Sequence, residues 1–267
     1  MLSFSKLGLP HAGRLGNQLF QVAFITHFAK KFDIEYKIPY WKYAEYFDYK
    51  FNFLEKDISA FQFDLIIKEP EIGYHEDLFE RYLPYIRSKK TDIFISYFQS
   101  YKYFTKQHAL NVFRFNSKFK AIKINPSKCV AVSVRRGDFI NHPHFNNIEA
   151  DTFKKILQNF KNHKIFLFTD DFQYCKSEFA GPQYEFMEGL NDIEQLINLS
   201  QFELFVLSNS TFSYWGPMLN PKPKTVFYPL YMSSDQNLCK IYNSQYWPQE
   251  PNIYIPYLNP INKPVIN

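Results

Sequence analysis

Arg135 and Arg136 stand side by side in the segment Val132 to Phe139, VSVRRGDF, with Asp138 one glycine further on. Two adjacent guanidiniums keep their charge in a partly dry site and match a diphosphate bidentately. The chemistry they suit is departure of an anionic leaving group, whose growing charge fixed donors can neutralise in place of a divalent cation. Two other stretches carry polar groups at strand ends. Ser208-Asn-Ser-Thr-Phe212 is a hydroxyl-rich turn whose N–H and O–H donors could cradle phosphate, and Asp170-Asp171 is an adjacent carboxylate pair. Each has a plainer reading: one Arg at the surface with the other in a structural ion pair to Asp138, and a simple helix cap at the serines.

Strands must bring these groups together. Cys129 to Val134 is a run of small and β-branched residues without polar alternation, which predicts a strand covered on both faces. Lys164 to Thr169, KIFLFT, and Glu203 to Leu207, ELFVL, predict two more, ending at Asp170 and at Ser208. Thr225 to Leu230 is expected to close the sheet, and the tail from Met232 to wrap back over the surface. Between the strands, Asp151 is expected to cap a helix carrying Phe153, Ile156, Leu157 and Phe160, and Asp192 to open another with Gln195 completing its cap. Parallel strands put the three polar turns at one sheet edge, where ligands of open α/β sheets lie.

The first part of the chain repeats the theme. Leu2 to Leu7 predicts a short strand, and Asn17 is expected to cap a helix from Gln18 with Val22, Ile25, Ala29 and Phe32 on its apolar stripe. The glycine loop between them brings Arg14 and backbone N–H groups to a helix start, a natural place for negative charge. Tyr and Phe crowd Glu35 to Phe63; Pro39-Tyr-Trp-Lys could face an acceptor sugar, but small-core packing is the preferred reading. Glu76 to Tyr85 predicts a helix, Asp92 to Tyr97 a strand, and Gln99 to Phe104 the start of a further helix. A polar, basic stretch from Asn116 to Lys128 places the junction near Lys120, dividing the chain into residues 1–120, 121–240 and a tail, 241–267.

Composition removes several classes. The 267 residues are 46% apolar and 20% aromatic, with a net charge of +5, which fits an anionic small ligand or a loose membrane-surface contact and comes without the basic block that marks a nucleic-acid protein. Three scattered cysteines without C-x-x-C predict reduced thiols. The opening residues lack a signal-peptide pattern and no run of about 18 apolar residues occurs, so a soluble cytoplasmic protein is expected. No P-loop, G-x-G-x-x-G or G-x-S-x-G is present, and no D-x-D of the metal-using sugar transferases; the D-x-E at Asp33 and at Asp192 lies at a helix boundary. The expectation is chemistry with no metal and no cofactor.

Six motifs, GRLGNQLFQ, YFQSYKYF, VSVRRGDF, FLFTDD, NDIEQL and SNSTFSYWG, occur in order and spacing as in the α-1,2-fucosyltransferase family, glycosyltransferase family 11, which the chain resembles from residue 13 to about 216. The Gly13 to Gln18 block also resembles that of protein O-fucosyltransferases. The resemblance implies an α/β fold of GT-B type, two Rossmann-like domains facing each other across a cleft, residues 1–120 on the acceptor side and 121–240 binding the GDP-sugar. It implies inverting, metal-independent transfer of L-fucose from GDP-β-L-fucose to the 2-hydroxyl of a terminal galactose. It also implies a bacterial cytoplasmic enzyme of surface-glycan assembly, with peripheral contact to membrane-bound, lipid-linked glycan. By position, Arg135 and Arg136 would hold the diphosphate and Asp138 would orient an Arg or the loop. Arg14 with Asn17 would reach the donor, Asp170 and Asp192 would lie near the guanosine, and Asn209, Ser210, Thr211 and Phe212 would line the phosphate and fucose pocket. Two departures stand out: Ser133 replaces the family's frequent His, and Tyr214 a frequent Trp. Asp138 is the first candidate for the base, with Glu149, His142 and His144 as alternatives and a loose transition state needing little assistance. The rival functions are transfer from another sugar nucleotide and glycan binding by an inactive member of the fold.

Overall fold

The computed structural model describes residues 1–54, 62–69, 73–75, 77–94, 96–140, 142–145 and 147–258. The chain divides into two compact units, Met1–Phe119 and Lys120–Asn267. The first contains β1 (Leu2–Ser3), α1 (Leu15–Phe32), β2 (Tyr36–Lys37), β3 (Leu65–Ile67), α2 (Leu78–Arg81), α3 (Leu83–Ser88), β4 (Thr91–Ile93) and α4 (Lys106–Val112). Its strands form a parallel sheet in the order β2-β1-β4-β3.

Two predicted strands in this unit stop early, for local reasons. Beyond Ser3 the chain leaves the ladder because Ser5 donates both its N–H and its hydroxyl to the buried Asp92 carboxylate, at 2.7 and 2.6 Å. After β4 the backbone turns at Phe98, a non-glycine with φ of 51°. The buried Glu69 holds that corner by accepting from Tyr97 N, Phe98 N and the Tyr103 hydroxyl. Burial raises the Glu69 and Asp92 carboxyls above the usual carboxylate range, against the hydrogen bonds that lower them. Ile95 and Glu76, inside the predicted strand and helix, lie outside the described residues, as do 55–61 of the aromatic stretch.

Helix α1 is buried on nearly every side, including Leu19, Ala23, Phe24 and Phe28 beyond the anticipated stripe. Phe24 stacks on Phe98 at 3.8 Å and meets Phe79 and Tyr103. A second aromatic cluster closes around Trp41, with Phe47, Phe51 and Phe113, so Trp41 of the Pro39 to Lys42 segment packs as expected while Tyr40 and Lys42 are exposed.

The second unit contains β5 (Cys129–Val134), α5 (Ala150–Leu157), β6 (Lys164–Thr169), α6 (Phe172–Glu178), β7 (Tyr184–Phe186), α7 (Asp192–Leu199), β8 (Leu204–Leu207), α8 (Thr211–Met218), β9 (Thr225–Pro229), α9 (Gln236–Gln245) and β10 (Tyr254–Tyr257). Strand β5 is buried along its whole length, as its apolar run predicts. All six strands are parallel, in the order β10-β9-β8-β5-β6-β7. Strand β9 therefore does not close the sheet. The tail does: β10 pairs with β9 from Tyr254↔Val226 to Tyr257↔Pro229, and the Tyr257 hydroxyl donates to Leu207 O at 2.6 Å. Its Pro256 is tolerated because an edge strand has one side without a ladder. Within this tail Tyr246, Trp247, Tyr254 and Tyr257 are buried, whereas residues 249–252 are exposed.

Helix caps differ from the expected ones by one to three residues. The N-cap of α1 is Arg14, with Asn17 inside the first turn; that of α5 is Glu149, ahead of Asp151. At α7 the cap is Asn191, whose side chain accepts from Glu194 N while Glu194 accepts from Asn191 N, and Asp192 follows it. Such a reciprocal box satisfies two orphan N–H groups at once. Among the described residues no helix is long and apolar enough to cross a membrane.

Candidate active site

From β5 the second sheet grows through β6 to β7, then restarts on the other side of β5 with β8, β9 and β10. That is the strand order of a dinucleotide-binding sheet, and its switch point lies between β5 and β8, beyond whose carboxyl ends such folds bind ligands. Arg135 follows β5 and Ser208 follows β8, and Ser208 N donates to Ser133 O at 3.0 Å to bring the two turns together. On the far side of β5, Thr169 pairs in register with Val134 and places Asp170 beside the arginines. The three polar turns converge as the sequence predicts.

The two arginines are held differently. Both terminal nitrogens of Arg135 meet carboxylates, Nη1 on Asp170 Oδ2 and Nη2 on Asp138 Oδ1, and its guanidinium lies over the Phe139 ring at 5.4 Å. Arg136 donates its backbone N–H to Asp170 Oδ1 at 2.9 Å. Its guanidinium lies 3.4 Å from the centroid of the Tyr174 ring, with Nε on Asp171 Oδ2 and Nη1 on Glu149 Oε2, each at 3.4 Å. Asp170 thus spans both arginines of the loop. The bland ion-pair reading of Asp138 is met in part, but Arg135 has a second carboxylate partner.

Gly137 and Tyr174 carried no role in the sequence reading, and Asp171 only that of a carboxylate pair with Asp170. Gly137 is required by space: a Cβ there would lie 2.3 Å from Asp170 Oδ2. Tyr174 supports Arg136, accepts from Ala150 N at 3.1 Å and donates to Glu149 Oε2 at 3.0 Å; burial raises its phenol above the ordinary range. Asp171 caps α6 by accepting from Tyr174 N. The signal for Tyr174 was its place one helical turn after a strand-end carboxylate, which fixes it under that turn. Neighbouring Cys175 is buried and its thiol pushed up to about 11, which removes it as a nucleophile; Cys129 and Cys239 are also buried free thiols.

The hydroxyl turn is partly a cap. Ser210 accepts from Phe212 N at 3.2 Å as the N-cap of α8, and Asn209 donates to Met232 O at 3.0 Å. Thr211 and Phe212 are half-buried in the first turn of α8. Ser133 Oγ lies 2.7 Å from Ser213 Oγ, which lies 3.1 Å from Ser208 Oγ, so buried hydroxyls bind the end of β5 to α8. Of the alternative bases, Glu149 is occupied with Arg136 and Tyr174. His142 and His144 sit on a loop where His142 stacks on Phe145 at 4.3 Å and Phe145 on Phe139 at 4.4 Å. Asp192 lies after β7, exposed, its carboxylate accepting from Ile193 N at 2.9 Å.

In the first unit, Gly13 takes φ of 93° and exposes Arg14 at the start of α1. Gln18 donates to Gly13 O at 2.8 Å, accepts from the Trp41 indole at 3.0 Å, and Asn17 accepts from Gln99 Nε2 at 2.9 Å. Asn17 and Gln18 thus brace the glycine loop.

The family model for glycosyl transferase family 11 matches residues 8–249. The chain belongs to that family. Among curated proteins, an α-1,2-colitosyltransferase of Escherichia coli is 25% identical over 146 residues, 47% of this chain and 50% of the relative. The matches to the first curated relatives span half of their length or less. Two solved structures share the fold. A mutant of Arabidopsis thaliana FUT1 in complex with GDP superposes with a TM-score of 0.55 at 12% identity, covering 86% of this chain and 70% of that one. POFUT1 in complex with GDP-fucose gives 0.52 at 13%, covering 85% and 96%. The family 11 chain accordingly has the GT-B type of fold seen in these fucosyltransferases.

Proposed function

We propose that this protein transfers L-fucose from GDP-β-L-fucose to the 2-hydroxyl of a terminal galactose, with inversion and without a metal, in surface-glycan assembly. The observation that carries the reading is the meeting of Arg135, Arg136 and the α8 N-terminus at the switch point of the second sheet. The acceptor oxygen forms a bond to the anomeric carbon as the bond from that carbon to the diphosphate breaks. The electron pair leaves with GDP, whose charge the arginines and the α8 N–H groups receive. Asp138, 47% exposed on the same loop, accepts the proton of the attacking hydroxyl. Asp170 and Asp171 are engaged with the arginines.

In this reading residues 121–240 bind the donor, residues 1–120 serve the acceptor side, and the site works in the cytoplasm on lipid-linked glycan at the membrane face. GDP or GDP-fucose in the two structures of like fold supports a guanosine donor. The test is incubation with GDP-fucose, EDTA and a panel of galactosides, followed by NMR of the product. GDP release with a new α-1,2 linkage is expected. Glycan binding without GDP release would replace the proposal with an inactive binding protein. The colitosyltransferase relative supplies a second reading, colitose in place of fucose, and a parallel arm with GDP-colitose decides it by the ratio of kcat/KM.

A further inference from the structure

We propose that Tyr174 is a positioning residue for the donor site: it fixes the plane of the Arg136 guanidinium so that one defined N–H edge is presented to the diphosphate. The inference rests on the reading of Arg136 as a donor ligand. A free arginine side chain samples many rotamers, and an anion must pay for ordering it. Arg136 is ordered in advance. The Tyr174 ring covers one face of its guanidinium at 3.4 Å, Asp171 takes Nε, and Glu149 takes Nη1. Among the described residues Nη2 has no protein acceptor, so it is the donor left for a ligand.

Tyr174 also controls both carboxylates of this cage. Its hydroxyl donates to Glu149 at 3.0 Å and accepts from the first N–H of α5 at 3.1 Å. Its backbone N–H is the one that Asp171 caps, at 3.1 Å. The ring supplies the face and the hydroxyl the distance to Glu149; the backbone places Asp171. The Arg136 side chain is only 13% exposed, so the stack is dry enough to matter. Arg135 has a different arrangement, both terminal nitrogens on carboxylates, and does not share this support.

The test is calorimetric titration with GDP on the full chain, together with donor and acceptor kinetics. Tyr174→Leu removes platform and hydroxyl, and is expected to weaken GDP binding about tenfold, in the range for a desolvated cation–ring contact. The donor kcat/KM should fall in parallel while the acceptor KM stays the same. Tyr174→Phe keeps the ring and should stay within about threefold of wild type. Arg136→Ala with Tyr174→Leu should bind no more weakly than Arg136→Ala alone, because two residues acting through one group are not additive. GDP affinity at the wild-type level in Tyr174→Leu, or losses that simply add in the double variant, would overturn the inference. If Arg136→Ala itself bound GDP normally, the donor-ligand reading of Arg136 would be the part at fault. Should Tyr174→Leu fail to fold, Tyr174→Met, whose flexible chain fills irregular space, carries the same expectation and the same refutation.

Discussion

Replacing Gly137 by alanine would place a methyl carbon 2.3 Å from Asp170 Oδ2 and 3.1 Å from its Cγ. The Asp170 side chain has one short arm and must rotate away. Doing so breaks the 2.9 Å hydrogen bond from Arg136 N and the ion pair to Arg135 Nη1. A hydrogen bond to a charged acceptor is worth ~1.5–3 kcal/mol and a partly exposed ion pair at most ~1 kcal/mol, so ~2–4 kcal/mol of positioning is lost. If that loss appears as misplacement of the arginine loop in the transition state, kcat/KM falls roughly 30- to 1000-fold. The assay is GDP release from GDP-fucose at saturating acceptor, with calorimetric GDP binding and thermal unfolding alongside. Binding should weaken with turnover. A Gly137→Ala protein with wild-type kcat/KM and GDP affinity would refute the idea that Asp170 fixes the loop.

Arg135→Ala should lower turnover about 10³-fold and Asp138→Asn by a smaller factor, about 10²-fold, measured as GDP release; equal or near-wild-type rates would remove the clamp. Gly13→Ala puts a Cβ at φ of 93° and 2.3 Å from Asn17 Nδ2, and should lower the thermal midpoint by several degrees as the Asn17–Gln99 bond breaks; an unchanged midpoint would show the loop to be slack. Burial, with charge from His27 and Lys30, holds His108 down to about 4, against 6.5 in the unfolded chain. Between those values the unfolded chain binds the proton first, so stability is lost as pH falls through that window, reaching ~3 kcal/mol at its acid end. Asp92 and Glu69, raised by burial, act in the opposite sense, so the informative quantity is the difference between wild type and His108→Gln in urea midpoints at neutral and acid pH. No difference would refute the assignment to His108.

The architecture of the second unit was legible because a parallel sheet buried on both faces writes its strands as unbroken apolar runs, and β5 and β6 match Cys129–Val134 and Lys164–Thr169 residue for residue. What the sequence hid were contacts between elements. Strand β10 joins the sheet after a polar, proline-containing stretch with no such run, so its place depends on partners, Val226 to Pro229, that pattern alone does not name. Helix α7 opens at Asp192 as expected, but Asn191 and Asp192 compete for its cap, and only the reciprocal bond to Glu194 decides between them. In the site, charge marked Arg135, Arg136, Asp138 and Asp170, whereas Gly137 and Tyr174 act through volume and stacking, which sequence spacing does not display.

The most direct measurement is a crystal structure of the protein with GDP. The account predicts the diphosphate between the arginines that follow β5 and the first turn of α8, with Arg136 Nη2 on a phosphate oxygen. Phosphates lodged away from both Arg135 and Ser210 to Phe212 would contradict it.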